Sequence, residues 1–287
     1  MSGDLAKWGL PSALIGLRLS PRLSLLRTIV RRFLMQVVIL AGGLGTRLSE
    51  ETVNVPKPMV RIGQDPIIVH LMKYYASYGH TNFVIALGYK GDVIKEYFSN
   101  FGIHRSNIEV NLSSQTTKIV KPLQEDWNIK LIDTGSDTGT GGRLIALQDH
   151  LDDDFLMTYG DGLSNVDLDE LIATHKKHGR IATVTAVRPP SRFGSLEIEN
   201  GKVSRFSEKL PEEAGWINGG FFYLNKSICN YISDTAEMFE RKPLEAIVDS
   251  GQLTAHQHEG FWQPMDTLRD KMALEEIWQQ GSAPWVR

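Results

Sequence analysis

The chain has 287 residues, a formal charge of −3, one cysteine and 41% hydrophobic residues. That length suits one or two domains with a sizeable buried core. With Cys229 as the single thiol, an internal disulfide framework and a multi-thiolate metal site are excluded, and a reducing, cytoplasmic compartment is expected. No stretch approaches the ~20 apolar residues that a membrane-spanning helix needs, so no membrane association is expected.

The charge is uneven. Residues 1–34 carry six bases and one acid, a local +5, which leaves about −8 on residues 35–287. An acidic body argues against nucleic-acid binding, which needs a basic face. It leaves room for an anionic small ligand in a locally basic cleft. In the first 34 residues, leucines alternate with arginines, and Pro11 and Pro21 interrupt any helix. This segment reads as a poorly ordered, non-catalytic extension, and Met35 stands just before the first clear strand.

From there the pattern alternates strands with helices. Within the strand Gln36–Ala41, Val37–Ala41 is an uninterrupted apolar run suited to burial on both faces. Residues 66–78 have helical spacing with Pro66 in the first turn. A strand at 83–87 and a helix at 92–100 follow. A strand at 155–158, a helix at 167–178 and a strand at 182–187 continue the rhythm. This predicts a Rossmann-like α/β fold with a mixed, mainly parallel sheet flanked by helices. Two stretches read as small antiparallel β insertions: 107–133, with strands at 107–112, 117–120 and 129–132, and 194–224. In the latter, Asn200-Gly201 reads as a hairpin turn between strands at 195–198 and 203–206, with a third strand at 216–224. The chain ends in a helix at 267–279.

Chemistry concentrates in a few blocks. Leu40-Ala41-Gly42-Gly43-Leu44-Gly45-Thr46-Arg47 follows the first strand directly. Its glycines allow close backbone approach to phosphate oxygens, and Arg47 adds a charged fork. It is not a dinucleotide fingerprint, because Leu48 stands where the third glycine belongs, and it lacks the Lys-Ser/Thr ending of a P-loop. Lys57 sits between Pro56 and Pro58, a cation presented on a stiff segment. Asp161 lies between Gly160 and Gly162 straight after a strand, and Asp266 precedes the last helix. Two such carboxylates can share one Mg²⁺, which prefers oxygen ligands and shares them with phosphates. Asn218-Gly219-Gly220 offers an amide and backbone donors. His175, His178, His256 and His258 read as solvated surface side chains, and Cys229 as structural.

These blocks together resemble the sugar-1-phosphate nucleotidylyltransferases. Further stretches narrow the resemblance to the glucose-1-phosphate cytidylyltransferases: Ser49–Thr52, Asp133-Thr134-Gly135, Thr140–Arg143, Tyr159–Gly162, Arg192-Phe193-Gly194, Ile217–Phe222 and Gly260–Asp270. The similarity runs from Met35 to the C-terminus.

The resemblance implies the nucleotide-diphospho-sugar transferase fold. It also implies cytidylyl transfer from CTP to α-D-glucose 1-phosphate with Mg²⁺, feeding deoxysugar and surface-polysaccharide synthesis, in a homo-oligomer. Arg47 and Lys57 would be catalytic. Residues 40–47, Lys57, Thr138, Arg143 and Gly160 would contact the nucleotide. Glu208, Lys209, Asn218 and Gly219 would hold the sugar phosphate, and Asp161 and Asp266 the metal. Two positions depart from the family pattern: Leu210 follows Lys209 where proline is usual, and Val55 replaces a second lysine. Two other readings stay open on residues alone, another nucleotide and hexose phosphate pair or a catalytically silent sugar-nucleotide-binding homologue.

Overall fold

The computed structural model describes residues 34–121, 125–189, 194–199, 202–208 and 215–287. A seven-stranded sheet organises residues 35–287. Its strands are β1 (Gln36–Leu40), β2 (Asn82–Leu87), β3 (Asn128–Asp133), β4 (Asp154–Tyr159), β5 (Ala182–Val187), β6 (Ile217–Asn225) and β7 (Leu253–His258), in spatial order β7-β5-β6-β4-β1-β2-β3. β1 pairs in parallel with both β2 and β4, β2 with β3, and β5 with β7. β6 runs antiparallel to β4 and β5.

The central strands are largely apolar along their middles because both sheet faces are covered. Val37, Ile39, Phe83, Ile85 and Leu156 face one layer. That layer holds α1 (Ile67–Ser77), whose Ile67, Ile68, Leu71, Met72 and Tyr75 are buried. Val38, Leu40, Val84, Ala86, Phe155 and Met157 face the other. There α3 (Thr140–Ala146) and α5 (Lys242–Asp249) contribute Leu144 and Ile247. Helix α2 spans Gly91–Ser99. Helix α4 (Leu168–His178) starts at Asp167, whose carboxylate accepts from the Asp169 and Glu170 N–H groups, and stops at Gly179 in the left-handed region. Helix α6 (Leu268–Gln279) opens with a capping box between Thr267 and Asp270.

The sheet corrects two sequence assignments. Residues 128–133 are not an antiparallel insertion; they form the parallel edge strand β3, in register with β2 from Asn82↔Asn128 to Leu87↔Asp133. Residues 217–225 likewise belong to the central sheet as β6, with Phe221, Phe222 and Leu224 in the core. The remaining inserted strands do form antiparallel pairs, Asn107–Asn111 with Thr116–Lys121 and Gly194–Glu199 with Lys202–Glu208. The Asn200-Gly201 turn and the 1–33 extension lie outside the described residues.

The topology locates the ligand crevice. From β1 the chain steps to β2 and β3 on one side, then crosses to β4 on the other side of β1. The carboxyl ends of β1 and β4 therefore flank a topological switch point, where open α/β sheets bind ligands.

His175 is a further correction. It lies on α4 but faces inward, 7% exposed, with Nδ1 at 2.9 Å from Thr183 Oγ1 and its ring stacked on Tyr223 at 3.7 Å. Its inward face was hidden by the lysines beside it in sequence. His256 is buried too, at the packing side of β7, and His258 is half-buried. His80 Nδ1 accepts from the Met35 N–H at 3.1 Å. Burial lowers both His80 and His175 to about 4. The unfolded chain therefore binds more protons than the folded one between about pH 6.5 and 4, so stability is full above that window and declines as pH falls through it. Thermal melts should show this decline, and His175→Asn should flatten it by on the order of 1–3 kcal/mol; a variant with the wild-type slope would contradict the assignment.

Candidate active site

The switch point opens into a cleft of about 760 Å³, within the usual range for small-molecule sites. Residues 40–46, Lys57, Thr138, Arg143, Gly160, Asp161, Asn218, Gly219 and Asp266 all line it. The blocks that the sequence scatters over more than 200 positions thus meet in one place. The side chains of Arg47 and Glu208, and all of Lys209, lie outside the described residues.

The glycine loop leaves β1 anchored on both sides. Ala41 N–H donates to Ala86 O and Gly160 N–H to Leu40 O, each at 3.0 Å. Gly45 adopts φ +64°, the left-handed conformation that turns the chain into the short helical turn Thr46–Leu48. Thr52 Oγ1 closes that turn on Gly45 O and Leu48 O, at 3.1 and 2.9 Å.

Arg143, expected from the resemblance to contact the nucleotide, lines the cleft and also holds the protein's own loops. Nη1 donates to Leu87 O, Thr134 Oγ1 and Gly135 O at 3.0, 2.6 and 2.8 Å, and Nη2 to Gly42 O at 2.9 Å. The residue is 3% exposed. One side chain on α3 thereby ties the loops leaving β1, β2 and β3. It also explains Gly42, where a Cβ would lie 2.2 Å from the guanidinium carbon. Thr138 Oγ1 donates to Thr134 O, closing the same loop.

The charged centre is compact. Lys57 begins a short helical turn, Lys57–Met59, and is 7% exposed. Its Nζ donates to Asp161 Oδ2 at 2.6 Å and to Asp266 Oδ1 at 2.7 Å. Burial lowers the lysine's affinity for its proton, but Asp161 and then Asp266 outweigh that and hold it above its usual value. Met265 N–H donates to Asp161 O at 2.8 Å, so the two acidic loops are joined by backbone as well. Among the described residues no group of three or more His, Cys, Asp or Glu could hold a metal ion. Two carboxylate oxygens converging on one point fit a hard divalent cation that completes its shell with phosphate oxygens and water.

At the other wall, Asn218 Oδ1 accepts from Gly220 N–H at 2.8 Å and Gly219 O accepts from Trp262 Nε1 at 2.7 Å. This wall holds residues the sequence analysis missed. Glu240 accepts from Tyr159 OH and, at 2.6 Å, from Thr140 Oγ1. Asn218 Nδ2 reaches the same tyrosine at 3.5 Å. Burial, then Glu240, pushes the Tyr159 phenol well above its usual value, so it stays a neutral donor. Glu240 carries no local motif, and nothing in its sequence neighbourhood singles it out.

Comparison with known proteins agrees with this geometry. Residues 36–273 match the family model described as nucleotidyl transferase. The chain is 49% identical over 253 residues to the glucose-1-phosphate cytidylyltransferase of Salmonella typhi, covering 88% of this chain and 98% of that one. It is 41% identical over 253 residues to the probable glucose-1-phosphate cytidylyltransferase of Bacillus subtilis, covering 88% and 99%. Among solved structures, HddC from Yersinia pseudotuberculosis superposes with a TM-score of 0.63 at 25% identity, covering 85% of this chain and 100% of that one. A mostly parallel sheet, a glycine loop at its switch point and a family match across that whole region lead to one conclusion: the chain belongs to the nucleotidyl transferase family.

Proposed function

We propose that the protein transfers a cytidylyl group from CTP to α-D-glucose 1-phosphate, giving CDP-glucose and diphosphate. The observation that carries this reading is the Lys57–Asp161–Asp266 cluster lining the same cleft as the glycine loop, together with 49% identity to a cytidylyltransferase of that specificity.

The attacking group, a sugar-phosphate oxygen, is already an anion, so the reaction needs no general base. Its difficulty is bringing one polyanion onto the α-phosphorus of another. The protein answers with position and positive charge. Residues 42–46 bring backbone close to the triphosphate, Lys57 and Arg47 supply charge, and Arg143 keeps the loop in shape. Asn218 and Gly219 meet the hexose, with Glu208 and Lys209 assigned to the sugar phosphate by resemblance. Asp161 and Asp266 would hold Mg²⁺. When bound, Mg²⁺ neutralises phosphate charge and orients the leaving diphosphate.

Two further readings accompany this one. The hairpin Asn107–Asn111/Thr116–Lys121 exposes Ile108, Val110, Leu112, Ile119 and Val120, from 40% to 86%. An isolated two-stranded hairpin with this much exposed apolar surface is marginal in water, which favours a homo-oligomer that covers it. No helix among the described residues is long and apolar enough to cross a membrane. With Cys229 as its single thiol the chain suits a reducing compartment, and on that ground we place the enzyme in the cytoplasm. Residues 1–34 are assigned no catalytic part.

Asp161→Ala should lower diphosphate release with CTP and glucose 1-phosphate by roughly 10²–10³-fold; turnover near wild type would refute the metal assignment. A release assay across four nucleotides and several hexose 1-phosphates should favour the CTP–glucose 1-phosphate pair, whereas no release with any pair would favour a silent binding protein. Deleting residues 1–34 should leave turnover intact, and lost activity in a folded truncation would show that the segment matters. Light scattering should report an oligomer that Val110→Glu weakens; a monomeric wild type would remove the hairpin reading.

A further inference from the structure

We propose that Lys57 is the resident cation of the carboxylate pair: its ammonium occupies the place a divalent cation takes, holds Asp161 and Asp266 together, and yields that place when the cation arrives with the triphosphate. The inference rests on reading Asp161 and Asp266 as metal ligands.

The geometry makes the two occupants exclusive. Nζ lies 2.6 Å from Asp161 Oδ2 and 2.7 Å from Asp266 Oδ1. Mg²⁺ sits at about 2.0–2.1 Å from its oxygens, so a cation shared by these two oxygens claims the volume that Nζ fills. The ammonium is also the group that makes the arrangement tolerable without a metal. Asp161 and Asp266 come from distant loops, and two carboxylates facing one another across a partly buried gap repel unless a positive charge lies between them.

The surrounding backbone says which part moves. Pro56 precedes Lys57 in extended conformation, at φ −68° and ψ 151°, and Pro58 follows inside the Lys57–Met59 turn. That backbone is stiff, whereas the lysine side chain turns about four bonds. Lys57, Asp161, Asp266 and the glycine loop line one continuous cleft. A displaced ammonium therefore finds its new partner, the triphosphate, without crossing protein.

The exchange balances. Phosphate oxygens complete the shell of the entering cation and replace the carboxylates around the ammonium. Metal by itself offers the lysine no such partner, so metal without nucleotide binds weakly. The triphosphate is the agent that exchanges one cation for the other.

The test is Mn²⁺ binding to the full-length protein without nucleotide, read by electron paramagnetic resonance. Lys57→Met should bind Mn²⁺ about ten-fold or more tighter than wild type, because nothing has to be displaced. Equal or weaker binding in a folded variant would overturn the proposal. A second measurement uses wild-type protein carrying ¹³C at the lysine ε-carbons, titrated with Mg²⁺ alone: the Lys57 resonance should move in step with saturation, and a resonance unmoved at saturation would overturn the proposal even if the variant failed to fold. Asp161→Asn and Asp266→Asn separate the two readings. Wild-type Mn²⁺ affinity in both would refute the metal site itself, whereas lost affinity there without a gain in Lys57→Met would refute the lysine's role alone.

Discussion

One ammonium group joins the parts of this molecule that chemistry requires to be adjacent. Lys57 bonds to Asp161 and Asp266, which lie 104 and 209 residues further along the chain. The first carboxylate hangs from the end of β4; the second precedes α6. Without a cation between them these acids would repel, and the cleft wall would lose its shape. Partly buried ion pairs of this kind contribute little net stability on average, but removing one member leaves an uncompensated charge. The cluster thus specifies geometry more than it adds stability.

Arg143 does for the glycine loop what Lys57 does for the two acidic loops. Its bonds reach Gly42, Leu87, Thr134 and Gly135, so the loops leaving three neighbouring strands share one clamp. A strand end holds its last residue firmly, but a loop must find partners for its backbone elsewhere. Here those partners are side chains reaching in from α3 and from Thr52. The opposite wall follows the same logic, with Glu240 holding Tyr159 and Thr140 together. Preorganised polar groups of this kind avoid reorganisation at the moment of reaction, and a chain of net negative charge meets two polyanions by setting Lys57 and Arg143 where the sheet topology opens.

Much of this was legible in the sequence, for physical reasons. The apolar run of β1 and the helical segments that became α1, α4 and α6 are local patterns, and each element formed within a residue or two of expectation. The glycine loop, Lys57, Asp161 and Asp266 stand in recognisable blocks, so their joint placement in a cleft was foreseeable. Partnerships across the sheet were not. β3 alternates exposed and half-buried positions as an edge strand does, and β6 follows a hairpin in sequence; both looked like insertions because their neighbours in space are remote in sequence. His175 was misjudged because charged neighbours on α4 concealed which face it occupies. The clamp made by Arg143 had no local signal either, because Gly42, Leu87, Thr134 and Gly135 come within its reach only once three strands pair. Glu240 had no pattern to betray it.

The central claim is that charge and position drive this reaction, with no covalent intermediate on the protein. Stereochemistry at phosphorus tests that directly. Turnover of CTP carrying a chiral α-thiophosphate with glucose 1-phosphate should give CDP-glucose with inverted configuration at the α-phosphorus, as a single in-line displacement requires. Retention of configuration would demand two displacements and a protein nucleophile, which would contradict this account.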